Sequence, residues 1–231
     1  GYALRQLRRA PAFAAVTILT LGIAIGANTA VFSVVNAVLL KPLAFPEPEA
    51  LSIMWTRYLP ESGFDIEKFA LSAPELLDIQ EMTQTFQSTG AYQTESRTLT
   101  GEGSEAERLS VGLLSAGILP TLGVQPVLGR VFTPEEDVEN GPAVTILSHD
   151  VWATRFDSDP TVIGRSITMN GVSTEIIGVM PIDFEFPSNT RAWLPLGLDR
   201  ATAGGRGSHG YNMIGRLAPG MTQLNLNAEL E

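Results

Sequence analysis

The pattern of apolar and polar positions divides the chain into one long uniform stretch and a much longer alternating one. Every residue from Ala10 to Leu40 is uncharged, a run of 31 holding 22 apolar residues, two glycines, one proline and six uncharged polar residues. A bilayer core about 30 Å thick is crossed by about 20 such residues in a helix. The run therefore predicts one transmembrane helix that continues as a stalk, over residues 12–40, with about ten residues more than a crossing needs. Within it, Gly22-Ile-Ala-Ile-Gly26 is a GxxxG pattern, and Ala30, Ser33 and Ala37 carry small residues along nearly the same face. Gly22, Gly26, Ala30 and Ser33 are the candidates for close packing against another helix. Small residues are also common in membrane helices that pack against nothing. Thr29, Ser33 and Asn36 follow i, i+4, i+7 spacing, so the second half of the run carries a polar stripe that either meets protein or leaves the membrane.

After Pro42, Pro46 and Pro48 the pattern changes to short alternating segments. Leu51 to Tyr58 reads as a strand, and Ser72-Ala-Pro-Glu75 as a capping box before a helix with Leu76, Leu77, Ile79, Met82 and Phe86 on one face. Strands are expected at about Thr89–Leu99 and Ala106–Leu113, joined by a turn at Gly101–Ser104. A short helix over Ser115–Leu122 is expected to break at Pro120, and Gly123–Arg130 to be a connection. Beyond the acidic loop Thr133–Asp137 come a strand over Ala143–Leu147 and a helix capped by Ser148 that carries Val151, Trp152 and Phe156. It ends before the breaker Asp159-Pro160. Ser166 to Val179 alternates around Asn170-Gly171, a strong type I′ hairpin signal. Strands at Arg191–Leu196 and Tyr211–Leu217 precede Pro219-Gly220, and Thr222 caps a last helix. The three tryptophans, Trp55, Trp152 and Trp193, are expected in the core or on a sheet face. The fold class is α+β with short elements.

Charge sharpens this division. The chain of 231 residues has 15 Lys+Arg and 25 Asp+Glu, net −10. The first 41 residues hold Arg5, Arg8, Arg9 and Lys41 and no acid, whereas the rest carries 11 bases and 25 acids. A short basic anchor thus precedes an acidic body. Three arginines before the apolar run place the N-terminus in the cytoplasm and the body outside. A secretory signal peptide, with Ala24-Ile25-Gly26 as a cleavage pattern, is the rival reading. The apolar pattern, however, runs past a usual signal core, through Val31 to Leu40. An acidic body repels phosphate backbones and lacks a basic stripe, so nucleic acid is excluded as a partner. The chain begins with Gly1 and its last ten residues read as an unfinished helix, which suggests a piece of a longer protein.

Candidate chemistry is sparse. There is no cysteine, hence no disulfide, thiolate nucleophile or Cys-ligated metal. No GxxxxGK[ST] is present, so any ATP dependence resides in another chain or domain. Gly205-Arg-Gly207-Ser-His-Gly210 matches GxGxxG, but strand-like residues follow it rather than a helix. His149 and His209 are the only histidines and lie at no metal-ligand spacing. His149-Asp150 reads as polar residues opening a helix, and Glu135, Glu136 and Asp137 as a solvated loop cluster. The EF-hand pattern is absent. No catalytic, metal or cofactor residue is assigned, and the sequence is read as a non-enzyme.

Two stretches carry a family resemblance. Tyr2-Ala-Leu-Arg-Gln-Leu-Arg-Arg-Ala-Pro11 together with Gly26 to Pro42 resembles the first membrane helix of MacB-like ABC transporter permeases, in particular the duplicated orphan subgroup common in Acidobacteria. Ile146-Leu-Ser-His-Asp-Val-Trp-Ala-Thr-Arg-Phe156, Asp159 to Arg165, Asn170-Gly171, Ile177-Gly-Val-Met-Pro181 and Gly215 to Gly220 are similar to that group's periplasmic core domain, with Ala218 where a basic residue is usual. The resemblance implies a cytoplasmic segment over 1–11, the membrane helix and stalk over 12–40, and a periplasmic core domain over 41–231. In that domain a smaller β-rich lobe, at about 133–190, is inserted into a porter-like lobe. It also implies a bacterial inner-membrane location and further membrane helices beyond the C-terminus. Its implied partners are a second permease copy forming a dimer, an ATPase subunit or domain, a periplasmic adaptor and the lipid bilayer. The implied function is export or mechanotransmission acting on periplasmic substrates; the orphan subgroup lacks an obvious neighbouring ATPase, which leaves the energy source open. The alternative is a single-pass anchored binding or sensor module. An anchored hydrolase using His149 or His209 is third.

Overall fold

A computed structural model describes residues 11–35, 45–58, 63, 66–101, 104–201 and 203–230. The chain forms two compact units, residues 1–48 and 49–231. In the first, helix α1 covers Pro11–Val35, 25 residues without a charge. Proline at its first position costs nothing, because the first turn's N–H groups have no partner in the helix. Among the described residues no helix is long and apolar enough to cross a membrane. The expected stalk at 36–40, the connection to Phe45 and the basic segment before Pro11 lie outside the described residues.

The second unit is an α+β body around one extended sheet. Its strands are β1 (Leu51–Met54), β2 (Thr56–Tyr58), β3 (Ile66–Phe69), β4 (Leu71–Ser72), β5 (Phe86–Gly101) and β6 (Ser104–Leu114), followed by β7 (Leu128–Gly129), β8 (Val144–Leu147), β9 (Ser166–Met169), β10 (Val172–Val179), β11 (Ala192–Pro195) and β12 (His209–Leu217). Its helices are α2 (Ala73–Met82), α3 (Ile118–Leu122), α4 (His149–Phe156) and α5 (Gln223–Leu230). The main sheet runs β1-β12-β5-β6-β11-β8-β10-β7, and β2 and β3 form a separate ribbon. The β6–β11 and β8–β10 pairs are parallel.

The long strand β5 joins two cores. Its first half pairs with β12, from Phe86↔Leu217 to Tyr92↔Asn212. Farther on, Leu99↔Met169 and Thr100↔Thr168 pair it with β9, while β6 lies along its other edge. Pairing therefore closes on itself through β5, β6, β11, β8, β10 and β9, a six-strand ring without a free edge. Every one of these strands contributes to a single buried cluster: Leu99, Leu109 and Val111, Ala192, Leu147, Ile176 and Val179, Ile167 and Met169, with Val151 of α4 against them. A second core gathers Met54, Leu71, Leu76, Ala91, Met213, Leu217 and Leu226 where α2 and α5 cover β1, β12 and the start of β5. The expected inserted lobe at 133–190 contributes β8, β9 and β10 to the ring, whose other strands come from 86–114 and 192–195.

Local rules account for most elements. Ser72 caps α2 with the expected reciprocal box: Ser72 N–H donates to Glu75 Oε2 at 2.8 Å, and Glu75 N–H to Ser72 Oγ at 3.5 Å. Ser148 caps α4 by accepting from Val151 N–H at 3.2 Å, and Thr222 and Asn225 cap α5 in the same manner. Asn170 and Gly171 both take positive φ, 49° and 83°, so the two-residue turn between β9 and β10 twists with its strands. Three expectations need correction. Leu51–Tyr58 is two strands in two sheets, parted at Trp55, which is 40% exposed and not in the core. The face of α2 stops at Met82, 75% exposed, because Thr83 turns extended and its hydroxyl donates to Ile79 O at 2.6 Å; Phe86 opens β5. Pro120 sits inside α3, since the third residue of a helix has no intrahelical N–H partner to lose.

Candidate functional site

The predicted packing face lies on α1. A Cβ added at Gly22 or Gly26 meets nothing within 4 Å among the described residues, and Leu19, Leu21, Ile23 and Ile25 around them are 56–67% exposed. The face is thus open. Of the polar stripe, the Thr29 hydroxyl donates to Ile25 O at 2.8 Å, as Thr20 does to Val16 O at 2.8 Å. These hydroxyls are satisfied within their own helix, so Thr29 needs no outside partner even in lipid. The side chains of Ala30 and Ser33, and all of Asn36, lie outside the described residues.

In the body, two of the three loop acids, Glu136 and Asp137, are built in rather than solvated, whereas Glu135 is exposed as expected. Glu136 is 8% exposed, and Arg130 grips it in a fork, Nη1 to Oε2 at 2.8 Å and Nη2 to Oε1 at 2.6 Å, while Thr133 N–H donates to Oε2 at 2.9 Å. The guanidinium beside it, and then that backbone N–H, hold the Glu136 carboxyl below its ordinary value against the opposing effect of burial. A lowered folded pKa contributes stability above the ordinary glutamate value of 4.5, and this is lost as pH falls through the lower, folded one. Arg130 is half exposed, so solvent screens the pair; Arg130→Met is expected to cost about 1–2 kcal/mol at neutral pH. Thermal melts between pH 7 and 3 check this: the variant should lose less stability on acidification than the parent.

Asp137 performs a different task. Its Oδ2 accepts from Ala116 N–H at 2.7 Å and its Oδ1 from Gly197 N–H at 2.8 Å, tying three loops together. Burial pushes its carboxyl above the usual range, against the backbone donors of Gly197, Ala116 and Leu196. The sequence reading missed this pair. Thr133-Pro-Glu-Glu marks a turn, but the donors to Asp137 come from residues 21 and 60 positions away.

The histidines take structural places. His209 Nε2 lies 3.0 Å from the Tyr58 hydroxyl and 3.5 Å from Glu75 Oε2, with Phe69 4.9 Å from its ring. It joins the β2–β3 ribbon to the capping box of α2. His149 opens α4, edge-on to Trp152 at 5.3 Å. The Gly205–Gly210 loop leads into β12, as its strand-like continuation predicts, and Arg206 within it pairs with Asp78 Oδ2 of α2, whose Oδ1 lies 2.9 Å from Nη1 of Arg200, before the loop. Among the described residues, no group of three or more His, Asp or Glu could hold a metal ion.

This architecture recurs in solved proteins. The extracellular domain of the noncanonical ABC-type transporter YknZ from Gram-positive bacteria superposes with TM-score 0.55 at 13% identity, covering 77% of this chain and 86% of that one. The periplasmic region of MacB from Actinobacillus actinomycetemcomitans gives 0.57 at 15% identity, with 78% and 79% covered. A permease-type protein domain from Porphyromonas gingivalis gives 0.60 at 19%, with 80% and 83% covered. At these identities the likeness concerns the fold, a mixed α+β body on a central sheet. No curated protein sequence matches the chain. Its sequence does match the MacB-like periplasmic core domain over residues 14–231, which takes in most of α1 and the whole body. The chain belongs to the MacB-like periplasmic core domain family.

Proposed function

We propose that the chain is the N-terminal part of a permease subunit in a MacB-like ABC-type export or mechanotransmission system of the duplicated orphan subgroup. The observation that carries this reading is the family match over 14–231 on a chain whose first 40 residues are a basic, then uncharged, segment. In this reading residues 1–11 stay in the bacterial cytoplasm, the run 12–40 crosses the inner membrane and continues as a stalk, and the acidic body acts in the periplasm. On the same reading the porter-like lobe includes the core under α2 and α5, and the β-rich lobe at about 133–190 supplies β8, β9 and β10 of the six-strand ring. The body moves a substrate already outside, driven by ATP hydrolysis in another chain or domain. A second permease copy completes the unit, with a periplasmic adaptor as a further partner.

Two experiments test it. Co-purification from native membranes should recover an ABC-type ATPase subunit; reproducible recovery of the chain as a lone single-pass protein, ending near Glu231 in the cell, would favour the anchored sensor module instead. Three more apolar spans of about 20 residues each should follow it in the gene. The small-residue face has its own prediction: Gly22→Leu with Gly26→Leu, which removes the close approach a GxxxG face allows, should reduce cross-linking to a second copy or a neighbouring helix. Unchanged cross-linking and unchanged function would remove the face from the account.

A further inference from the structure

Beside the second core lies a cavity of about 300 Å³, walled by Leu76 and Leu77 of α2, Ala91 of β5, and Leu196 and Leu198 after β11, with the neutral polar side chains of Gln80, Thr89 and Ser115 also on its lining. Asp137 lines the same cavity, and no Lys, Arg or His does. Its two carboxylate oxygens receive backbone N–H groups from Ala116 and Gly197, which are neutral donors. Among the described residues it makes no ion pair, whereas its neighbour Glu136 is paired with Arg130. A carboxylate offers about four acceptor sites, so acceptor capacity remains beyond the backbone donors of Ala116, Gly197 and Leu196. A negative charge at a low-dielectric surface without a counter-charge favours a cation that brings its own apolar body, since the walls then repay the cation's lost hydration. The volume matches the lower end of small-molecule sites.

We propose that this cavity binds a small organic ammonium ion, whose apolar body packs against the leucines and whose N–H groups donate to Asp137. The inference concerns residues 76–198 and is independent of the membrane and transport reading. The burial that raises the Asp137 carboxyl agrees with an unpaired charge there.

The test uses the full chain in zwitterionic nanodiscs with cyclohexylammonium, cyclohexanol and cyclohexanecarboxylate as probes, and reads binding by saturation-transfer NMR. Cyclohexylammonium should bind at least tenfold tighter than cyclohexanol, and cyclohexanecarboxylate should not bind. Asp137→Asn should abolish the preference for the ammonium ion. Leu198→Trp, which fills the cavity and leaves the carboxylate in place, should abolish binding altogether, and it keeps the test decisive where Asp137→Asn weakens the fold. Equal affinity for cyclohexanol, ammonium binding that survives Leu198→Trp, or no binding at millimolar cyclohexylammonium would each overturn the proposal.

Discussion

Replacing Gly90 by alanine is expected to destabilise the body by about 3–5 kcal/mol, the sum of an overpacking cost and the loss of one or two hydrogen bonds. Gly90 lies in β5 opposite Ile214, on the strand that joins the two cores. A Cβ there would stand 2.3 Å from Ile118 Cα and 2.6 Å from Ile118 N, so backbone rather than a flexible side chain would have to yield. The contact is reciprocal: a Cβ on Gly117, at the N-terminus of α3, would stand 2.3 Å from Thr89 O. α3 cannot simply lift away. Ser115 N–H donates to Ala91 O at 2.9 Å, Ala91 N–H to Ser115 Oγ at 2.8 Å, the Thr121 hydroxyl to Ser88 Oγ at 3.0 Å and Arg216 Nε to Thr121 O at 2.9 Å. Urea unfolding followed by circular dichroism measures the cost. Gly205→Ala is the control, because a Cβ there meets nothing within 4 Å among the described residues. It should stay within about 0.5 kcal/mol of the parent. A Gly90→Ala protein as stable as the control would show that α3 is not seated on β5 as described.

Trp193→Ala should cost a similar amount, about 3–5 kcal/mol. Trp193 is wholly buried in β11, which pairs with β6 on one side and β8 on the other. Its ring lies against Gly112 of β6, where a Cβ would come within 2.7 Å of its Cδ1, and 5.2 Å from the Phe184 ring. Its indole N–H donates to Phe186 O at 2.8 Å, which holds the loop after β10 against the ring. Alanine would leave both a cavity and an unpaired carbonyl. Trp193→Phe keeps most of the volume and loses the hydrogen bond, so it should fall between the two, about 1–2 kcal/mol below the parent. Equal stabilities for the alanine and phenylalanine variants would mean that the cavity carries no cost.

How much of this was legible in the sequence depends on the range of the forces involved. The capping residues Ser72, Ser148 and Thr222 and the Asn170-Gly171 turn act within four residues of themselves, and each lies where its pattern predicts. Ring closure through Leu99↔Met169 could not be read, because two ordinary alternating segments do not announce which strand they meet. The same holds for the short strands β3, β4 and β7, whose existence rests on partners far along the chain. Trp55 misled because its residue type favours burial, whereas the chain changes sheets there. The acidic loop misled in the opposite direction: carboxylates in a loop usually face water, but Glu136 has Arg130, and Asp137 has backbone donors on two other loops. The candidate site was legible only as the small-residue face on α1; the Asp137 cavity needs the third dimension.

Whether the basic N-terminus and the acidic body lie on opposite sides of a membrane, as proposed, can be measured by labelling. The chain has no cysteine, so a single introduced thiol reports its own side without background. Gln6→Cys precedes the uncharged run, and Ser173→Cys lies exposed in β10. In intact spheroplasts a membrane-impermeant maleimide should label Ser173→Cys at once and Gln6→Cys only after the membrane is broken. Equal labelling of both in intact spheroplasts, or labelling of Gln6→Cys alone, would contradict the account.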